Sequence, residues 1–478
     1  MTMKKLLLLL ITLSIVFSLC ACQTPDVQTP TPDTTPAATE PPTPIPQSEI
    51  NGVALSEFAI VYAEGGTDYA KRAALYIQSE ILSRTGLQLP LIDDLDEARA
   101  HEIVVGETRR EISKALVATG ENSEFAILAD AGSVALEADY FVIAAAAYYF
   151  IEAYVPTDDF SATVPTEICM HEPIAKPAEN YVLLIGDGMG LYQTKLFEQM
   201  KNSADYGDGE DIFYGYYLPY FALSRTDSLS GTTDSAAGGT ALSTGYKTVN
   251  GYVGQDKNHK QIVSLTELAA SFGLRTAVMS TEASTGATPA SFSAHANSRT
   301  DTEDILADQA DLQASRGTII ECNFNHYTKS GVAQITRTVS EVIDRLDAGD
   351  EGFFMMYEEA HIDKHCHQND AANAFLAVIR FNQVIATVME YAYYHPETCV
   401  IITADHETGA LRPNEKGKYV FHDNDHSSDN VPVFVYGYGL EVFDGQVIEN
   451  VQIAKTIAAM IGVPAFGDRT SDYPSLLQ

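Results

Sequence analysis

Ser235 stands in the small-residue run Thr233-Asp234-Ser235-Ala236-Ala237-Gly238-Gly239-Thr240-Ala241, and four groups of carboxylates and imidazoles lie elsewhere in the chain. They are Asp187 within Gly186-Asp187-Gly188-Met189-Gly190, the stretch from Glu358 to His367, the pair Asp405-His406, and His426. A serine hydroxyl is a weak nucleophile at neutral pH and needs an adjacent base or a cation that stabilises its alkoxide. No Gly-x-Ser-x-Gly elbow surrounds Ser235, which weakens a serine-histidine-carboxylate triad as the explanation. Oxygen and nitrogen donors in quantity, without paired thiolates, point to zinc and magnesium in a catalytic setting. Two or three cations near one serine suit transfer of a highly charged group, phosphoryl transfer above all.

Such a site needs a scaffold that brings distant segments to one edge. Residues 179 to 478 alternate apolar runs with helical stretches, which predicts an α/β fold with a large, mostly parallel sheet covered by helices on both faces. The predicted strands are Tyr181 to Ile185, Thr276 to Ser280, Gly352 to Tyr357, Thr398 to Thr403 and Val431 to Tyr436. Four of these five carry the chemical motifs at or just beyond their C-terminal ends, where open α/β sheets place their ligands. Residues 50 to 178 read as a small α/β unit, with strands at Phe58 to Tyr62, His101 to Val105 and Phe125 to Leu128 and helices at Asp68 to Arg84 and Asp139 to Tyr154. This unit bears a weak likeness to the small α/β accessory domain of some glycoside hydrolases and carries no catalytic residue, so a structural or accessory role is expected of it.

The composition fits this reading. With 478 residues, 45% hydrophobic and 20% charged, the chain can build two or more packed units. Its 65 acidic residues against 29 basic ones give a formal charge of -36, which argues against nucleic acid or an anionic membrane surface as a partner. The same charge repels a phosphate ester, so the site must create its own positive field from metal ions and an arginine. Residues 1 to 22 read as a secretory signal, with Lys4 and Lys5 ahead of the apolar stretch Leu6 to Phe17. The end of that segment, Leu19-Cys20-Ala21-Cys22, resembles a bacterial lipoprotein cleavage box. A small residue is needed before the modified cysteine, so Ala21 favours Cys22 as the lipidated position; an ordinary signal peptide cut nearby is the plainer alternative. Residues 23 to 47, rich in Pro and Thr, form an extended linker. The remaining Cys169, Cys322, Cys366 and Cys399 are spaced too irregularly for a disulfide framework.

Six motifs occurring in one order resemble the alkaline phosphatase family. They are Gly186-Asp187-Gly188-Met189-Gly190; Thr233-Asp234-Ser235-Ala236-Ala237 followed by Ser243-Thr244-Gly245; Ala287-Thr288-Pro289-Ala290 with Ala294-His295 and Arg299; Glu358 through Asp363-Lys364 to His367; Thr403-Ala404-Asp405-His406-Glu407-Thr408-Gly409; and His426-Ser427. Each is weak alone; the ordered set is specific, and it covers the second unit only. The resemblance implies that Ser235 becomes a phosphoserine, with one zinc held by Asp187, Asp405 and His406. A second zinc would be held by Asp363, His367 and His426. A third ion, magnesium, would use Asp187 together with Thr288 and Glu358. Arg299 would grip two phosphate oxygens, Asp234 would orient that arginine, and Lys364 would approach the phosphate through water. The expected reaction is hydrolysis of small phosphate monoesters to alcohol and inorganic phosphate, by a protein tethered outside the cytoplasm through lipid on Cys22, with a homodimer as one assembly open to it.

Gly286 departs from the pattern, because the family commonly carries an aspartate or histidine there that touches the third metal's waters. The spacing also leaves rivals open. His361 and His365 form a second pair four residues apart, and His422 competes with His426. Glu407 beside His406 is not needed as a base. Among activities, a phosphodiesterase of the same superfamily is the closest alternative, while Ser235-Ala236-Ala237-Gly238-Gly239 lacks the Cys/Ser-x-Pro-x-Arg setting of a sulfatase. A non-enzymatic surface protein that binds phosphate or glycan is the alternative outside enzymes.

Overall fold

A computed structural model describes residues 48–65, 68–116, 123–200, 212–323 and 329–477. The signal segment, the linker, Cys20, Cys22 and His326 lie outside them. Pro46–Gln478 forms one compact unit that contains, among the described residues, two large sheets and three small ones of two or three strands. The larger has eight strands, in the spatial order Ile319–Cys322, Arg275–Ser280, Phe353–Glu359, Asn180–Gly186, Thr398–Thr403, Val431–Tyr436, Tyr220–Arg225 and Val447–Glu449. The first five of these pair in parallel. Val431–Tyr436 runs antiparallel to both its neighbours.

Side-chain alternation along the strands divides the apolar residues between two faces. Val182, Leu184, Met355, Tyr357, Val400 and Ile402 join one buried cluster, under the helix Ala371–Tyr394. Tyr181, Leu183, Ile185, Phe354, Met356 and Ile401 join another, packed with residues of the helices Leu265–Ser271 and Asn450–Ile461. Near-continuous apolar runs such as Tyr181 to Ile185 are what a sheet buried on both faces demands. Ala371–Tyr394 is long and apolar enough to cross a membrane by length and composition, yet most of it is buried in this core.

The second large sheet has six strands, ordered Leu91–Asp93, Ala59–Tyr62, Glu102–Val105, Ser133–Glu137, Phe125–Asp130 and Cys169–His171; the first four are mutually parallel. On the helix Asp68–Thr85, Ala70, Ala73, Ala74, Ile77 and Ile81 recur at three- and four-residue intervals and face inward. That helix also meets Ala371–Tyr394, where Arg72 forks onto Glu390 at 2.6 and 2.8 Å and Tyr76 stacks on Tyr394 at 4.4 Å. One apolar cluster therefore runs from the first sheet through the long helix to the second.

The register of the larger sheet positions the chemistry. Ile185 pairs with both Glu358 and Thr403, and Ser280 pairs with Glu358, so the strands end flush. Period-two alternation sends Glu358 and Glu359 to opposite sides. Glu359 is fully buried and takes two hydrogen bonds from buried Arg380, at 2.7 and 3.3 Å. Burial alone would raise its pKa, but Arg380 and then His361 hold it down at about 2. A carboxylate with a depressed pKa stabilises the fold above its ordinary range near 4, and the contribution disappears as pH falls toward 2. Arg380→Met leaves that charge buried and unpaired, so it should lower unfolding free energy by roughly 3–5 kcal/mol at pH 7. Urea unfolding should show the difference between Arg380→Met and wild type shrinking as Glu359 becomes protonated.

Candidate active site

Ser235 opens the helix Ser235–Thr244, which is buried throughout. Asp234 caps it, its Oδ1 accepting from Ala237 N at 3.0 Å, while Oδ2 accepts from Gly251 N at 3.0 Å and from Arg299 Nη1 at 3.3 Å. One carboxylate thus caps the start of the helix and holds the arginine. The small-residue composition follows from close packing. A Cβ on Gly238 would lie 3.0 Å from the Asp405 carbonyl oxygen, and one on Gly239 would lie 3.1 Å from Ser291 Cβ. Ser235 Oγ lies 3.2 Å from His406 Nε2.

The first set of expected ligands is assembled. His406 Nε2 is 3.1 Å from Asp405 Oδ2 and 3.6 Å from Asp187 Oδ1, all three residues being buried. Asp187 sits directly after its strand, followed by Gly188 at φ +72°, where a Cβ would come within 2.8 Å of Asp363 Cα and Thr408 Oγ1. Gly188 N and His406 N both donate to Asp405 Oδ1, at 3.2 and 3.0 Å, leaving Oδ2 free. The second set is equally close. His367 Nε2 is 3.1 Å from His426 Nε2 and 3.4 Å from Asp363 Oδ1, and His426 Nε2 is 3.6 Å from that oxygen. The four-residue step from Asp363 to His367 follows the turn that ends the short helix His361–Cys366. His426 precedes Val431–Tyr436, and because that strand is antiparallel its start reaches the edge where the parallel strands end.

A model of the alkaline phosphatase family matches residues 178–329 and 325–424. The chain belongs to the alkaline phosphatase family. It is 29% identical over 297 residues to alkaline phosphatase 4 of Bacillus subtilis (strain 168), across 51% of this chain and 64% of that protein. It is 24% identical over 337 residues to the alkaline phosphatase of Escherichia coli (strain K12), across 48% of this chain and 70% of that one. The matched part is thus under two thirds of the Bacillus protein's length. The solved alkaline phosphatase of the Antarctic bacterium TAB5 superposes with a TM-score of 0.52 at 27% identity, covering 60% of this chain and 99% of that one. A variant of the TAB5 enzyme is described with Mg bound in the M3 site.

In this phosphatase-family site each imidazole has its Nδ1 committed. His367 Nδ1 lies 2.7 Å from the Asn424 carbonyl, and His426 Nδ1 lies 2.8 Å from the Thr233 carbonyl. Carbonyls can only accept, so both Nε2 atoms present lone pairs. Thr408 Oγ1 donates to Asp363 Oδ1 at 2.5 Å and lies 3.2 Å from His406 Nδ1, which gives His406 the same tautomer. Two lone pairs facing each other at 3.1 Å, with Asp363 beside them, fit a shared cation. Buried Asp187 Oδ1, Asp405 Oδ2, Thr288 Oγ1 and Glu358 Oε1 lack hydrogen-bond partners, which also fits metal ions. The other Glu358 oxygen accepts from Ser280 Oγ.

The rival residues are occupied elsewhere. His361 turns to Thr281 Oγ1 at 3.1 Å and Glu359 at 3.4 Å, His365 packs beside His361, and His422 is exposed. Glu407 accepts from Gln193, Leu411 N and Ser427 and clamps the loop. Cys366 is buried near Gln193. Three residues outside the expected set belong to the neighbourhood. Thr408 contacts both Asp363 and His406; exposed Asp425 brings a carboxylate within 4.8 Å of His367 and His426 donors; and Glu282 accepts from Lys364 Nζ at 2.6 Å. In the sequence, only adjacency to His426 marks Asp425, and nothing in its local pattern marks Glu282.

Burial, reinforced by Asp405 and Asp363, pushes the Asp187 pKa well above the carboxylate range. Burial with Asp363 raises Asp405 to about 7, and burial with Glu282 raises Glu358 to about 8. His406 falls to about 3 through burial and His426, so it stays neutral at working pH. Burial opposes the Lys364 charge, but Glu282 holds its pKa above the ordinary value. Raised carboxyl pKa values mean that these groups favour the metal-free fold most below pH ~4 and lose that contribution as pH rises through 7 to 8. Cation uptake must expel their protons. Calorimetric titration of stripped protein with zinc at pH 7, in buffers of different ionisation enthalpy, should show net proton release and tighter binding toward pH 8.

Proposed function

We propose that this protein hydrolyses phosphate monoesters to alcohol and inorganic phosphate through a covalent phosphoserine at Ser235, with two zinc ions and one magnesium ion as cofactors. The observation that carries the reading is Ser235 Oγ at the first turn of a buried helix, 3.2 Å from His406 Nε2. Asp187, Asp405 and His406 would hold one zinc, Asp363, His367 and His426 the other, and Asp187, Thr288 and Glu358 the magnesium. The zinc ions, when bound, stabilise negative charge on the attacking and leaving oxygens.

The chain's own residues do the rest. Arg299, partly exposed and oriented by Asp234, grips two non-bridging phosphate oxygens with its planar fork. The N-terminal end of the helix that begins at Ser235 adds a positive field from its unpaired N–H groups. Ser235 Oγ gives up its proton to solvent and attacks phosphorus, the bond to the ester oxygen breaks, and that oxygen takes a proton from solvent as the alcohol departs from the opposite side. Water then attacks the same phosphorus along the vacated path and releases phosphate from Ser235. Lys364 approaches the anion through water. These local positive groups answer a chain whose formal charge is -36.

Ser235→Ala should retain zinc content and lose nearly all turnover of a nitrophenyl phosphate monoester. Wild-type residues 48 to 478, after chelation and readdition of zinc and magnesium, should prefer the monoester over the bis-ester. Preference for the bis-ester would mark a diesterase, and absence of turnover on either would favour a phosphate binder.

For location, the Leu19-Cys20-Ala21-Cys22 box supports an extracytoplasmic protein held to the bacterial surface by lipid on Cys22, with Pro/Thr-rich residues 23 to 47 as a stalk. Small phosphate monoesters are its partners, together with the membrane through that lipid. Cys22→Ala should move the full-length chain from the membrane fraction to the soluble fraction of an expressing bacterium.

A further inference from the structure

Gly286 caps the helix Ala287–Ser293, two positions before Thr288, and the space its side chain would take is filled from elsewhere. A Cβ on Gly286 would overlap the carboxylate of Glu282, meeting Oε1 first. Glu282 follows the end of the Arg275–Ser280 strand, and its backbone N donates to Ser280 Oγ at 3.0 Å. That same hydroxyl donates to Glu358. The other Glu282 oxygen, Oε2, accepts from Lys364 Nζ at 2.6 Å. Glu282 is also close enough to influence the charge states of both Glu358 and Asp187.

The Glu282 carboxylate therefore adjoins the corner formed by Asp187, Thr288 and Glu358. There Asp187 Oδ1, Thr288 Oγ1 and Glu358 Oε1 are buried without hydrogen-bond partners. With Glu282 Oε2 committed to Lys364, Oε1 is left on the Gly286 side to accept from water. Magnesium suits that arrangement, because it dehydrates reluctantly and keeps several waters that need acceptors.

We propose that Glu282 completes the third cation site by accepting hydrogen bonds from the waters of a divalent cation held by Asp187, Thr288 and Glu358. The carboxylate that Gly286 cannot offer is supplied from four residues earlier. Glu282 is a positioning residue, and because it also holds Lys364 it ties the third cation to the ammonium beside the substrate. The inference rests on the proposed phosphatase site.

The test is magnesium titration of the zinc-loaded protein by calorimetry, with zinc and magnesium content measured in the same samples. Glu282→Ala and the closer isostere Glu282→Gln should keep two zinc ions per chain and bind magnesium ~10- to 100-fold more weakly, the range for loss of a group that supports metal ligands. Glu282→Ala combined with Gly286→Asp should recover affinity, because removing Glu282 opens the space a residue-286 side chain needs. Wild-type magnesium affinity in both single variants would overturn the proposal. A wild type that binds two zinc ions but no magnesium would overturn it while leaving the zinc phosphatase reading standing. A wild type that binds no zinc would overturn that reading itself.

Discussion

Asp187, Asp405, Asp363 and Glu358 are buried together at one edge of a sheet, and the rest of the structure answers that concentration of negative charge. Isolated carboxylates taken out of water are costly unless protonated, hydrogen-bonded or bound to cations. Burial pushes three of the four toward protonation, and each of those three keeps a buried oxygen without a hydrogen-bond partner. The imidazoles are prepared in the complementary sense. Nδ1 contacts to Asn424, Thr233 and Thr408 turn three Nε2 lone pairs inward. The edge therefore suits metal ions, and Ser235 is set against it.

Precision at that edge comes from backbone register. Parallel strands ending flush deliver Asp187, Glu358 and Asp405 from segments far apart in sequence, and the antiparallel Val431–Tyr436 brings His426 to the same side. Helix Ser235–Thr244 can approach only because Gly238 and Gly239 leave no side chain between it and its neighbours. On the opposite side of the same strand end, the buried Glu359–Arg380 pair ties the edge to Ala371–Tyr394. That helix also carries the contacts to the six-stranded sheet, so the first layer and the site share one continuous core.

Much of this was legible from residue order. The strands Thr398–Thr403 and Val431–Tyr436 run over the residues their apolar patterns predict, Asn180–Gly186 is one residue longer than predicted at each end, Arg275–Ser280 is one longer at its start, and Phe353–Glu359 starts one residue later and ends two later than predicted. Continuous apolar stretches leave little choice when both faces of a sheet are buried. In the eight-stranded sheet the strands that escaped prediction are Tyr220–Arg225, Ile319–Cys322 and Val447–Glu449, which are short or only partly buried and lie toward its edges; in the six-stranded sheet Leu91–Asp93, Ser133–Glu137 and Cys169–His171 escaped as well. Their pairing depends on neighbours rather than on their own pattern.

Residue order and composition alone carry the inventory of donors, the small-residue setting of Ser235, the alternating α/β architecture and the chain's excess of negative charge. Those properties are local, so spacing and residue type carry them. Which histidines turn inward, that Thr408 links His406 to Asp363, and that the carboxylate of Glu282 occupies the space above Gly286 follow from folding alone. These are contacts between segments that meet because strands end in register and helices pack at backbone distance, and no spacing along the chain encodes such meetings.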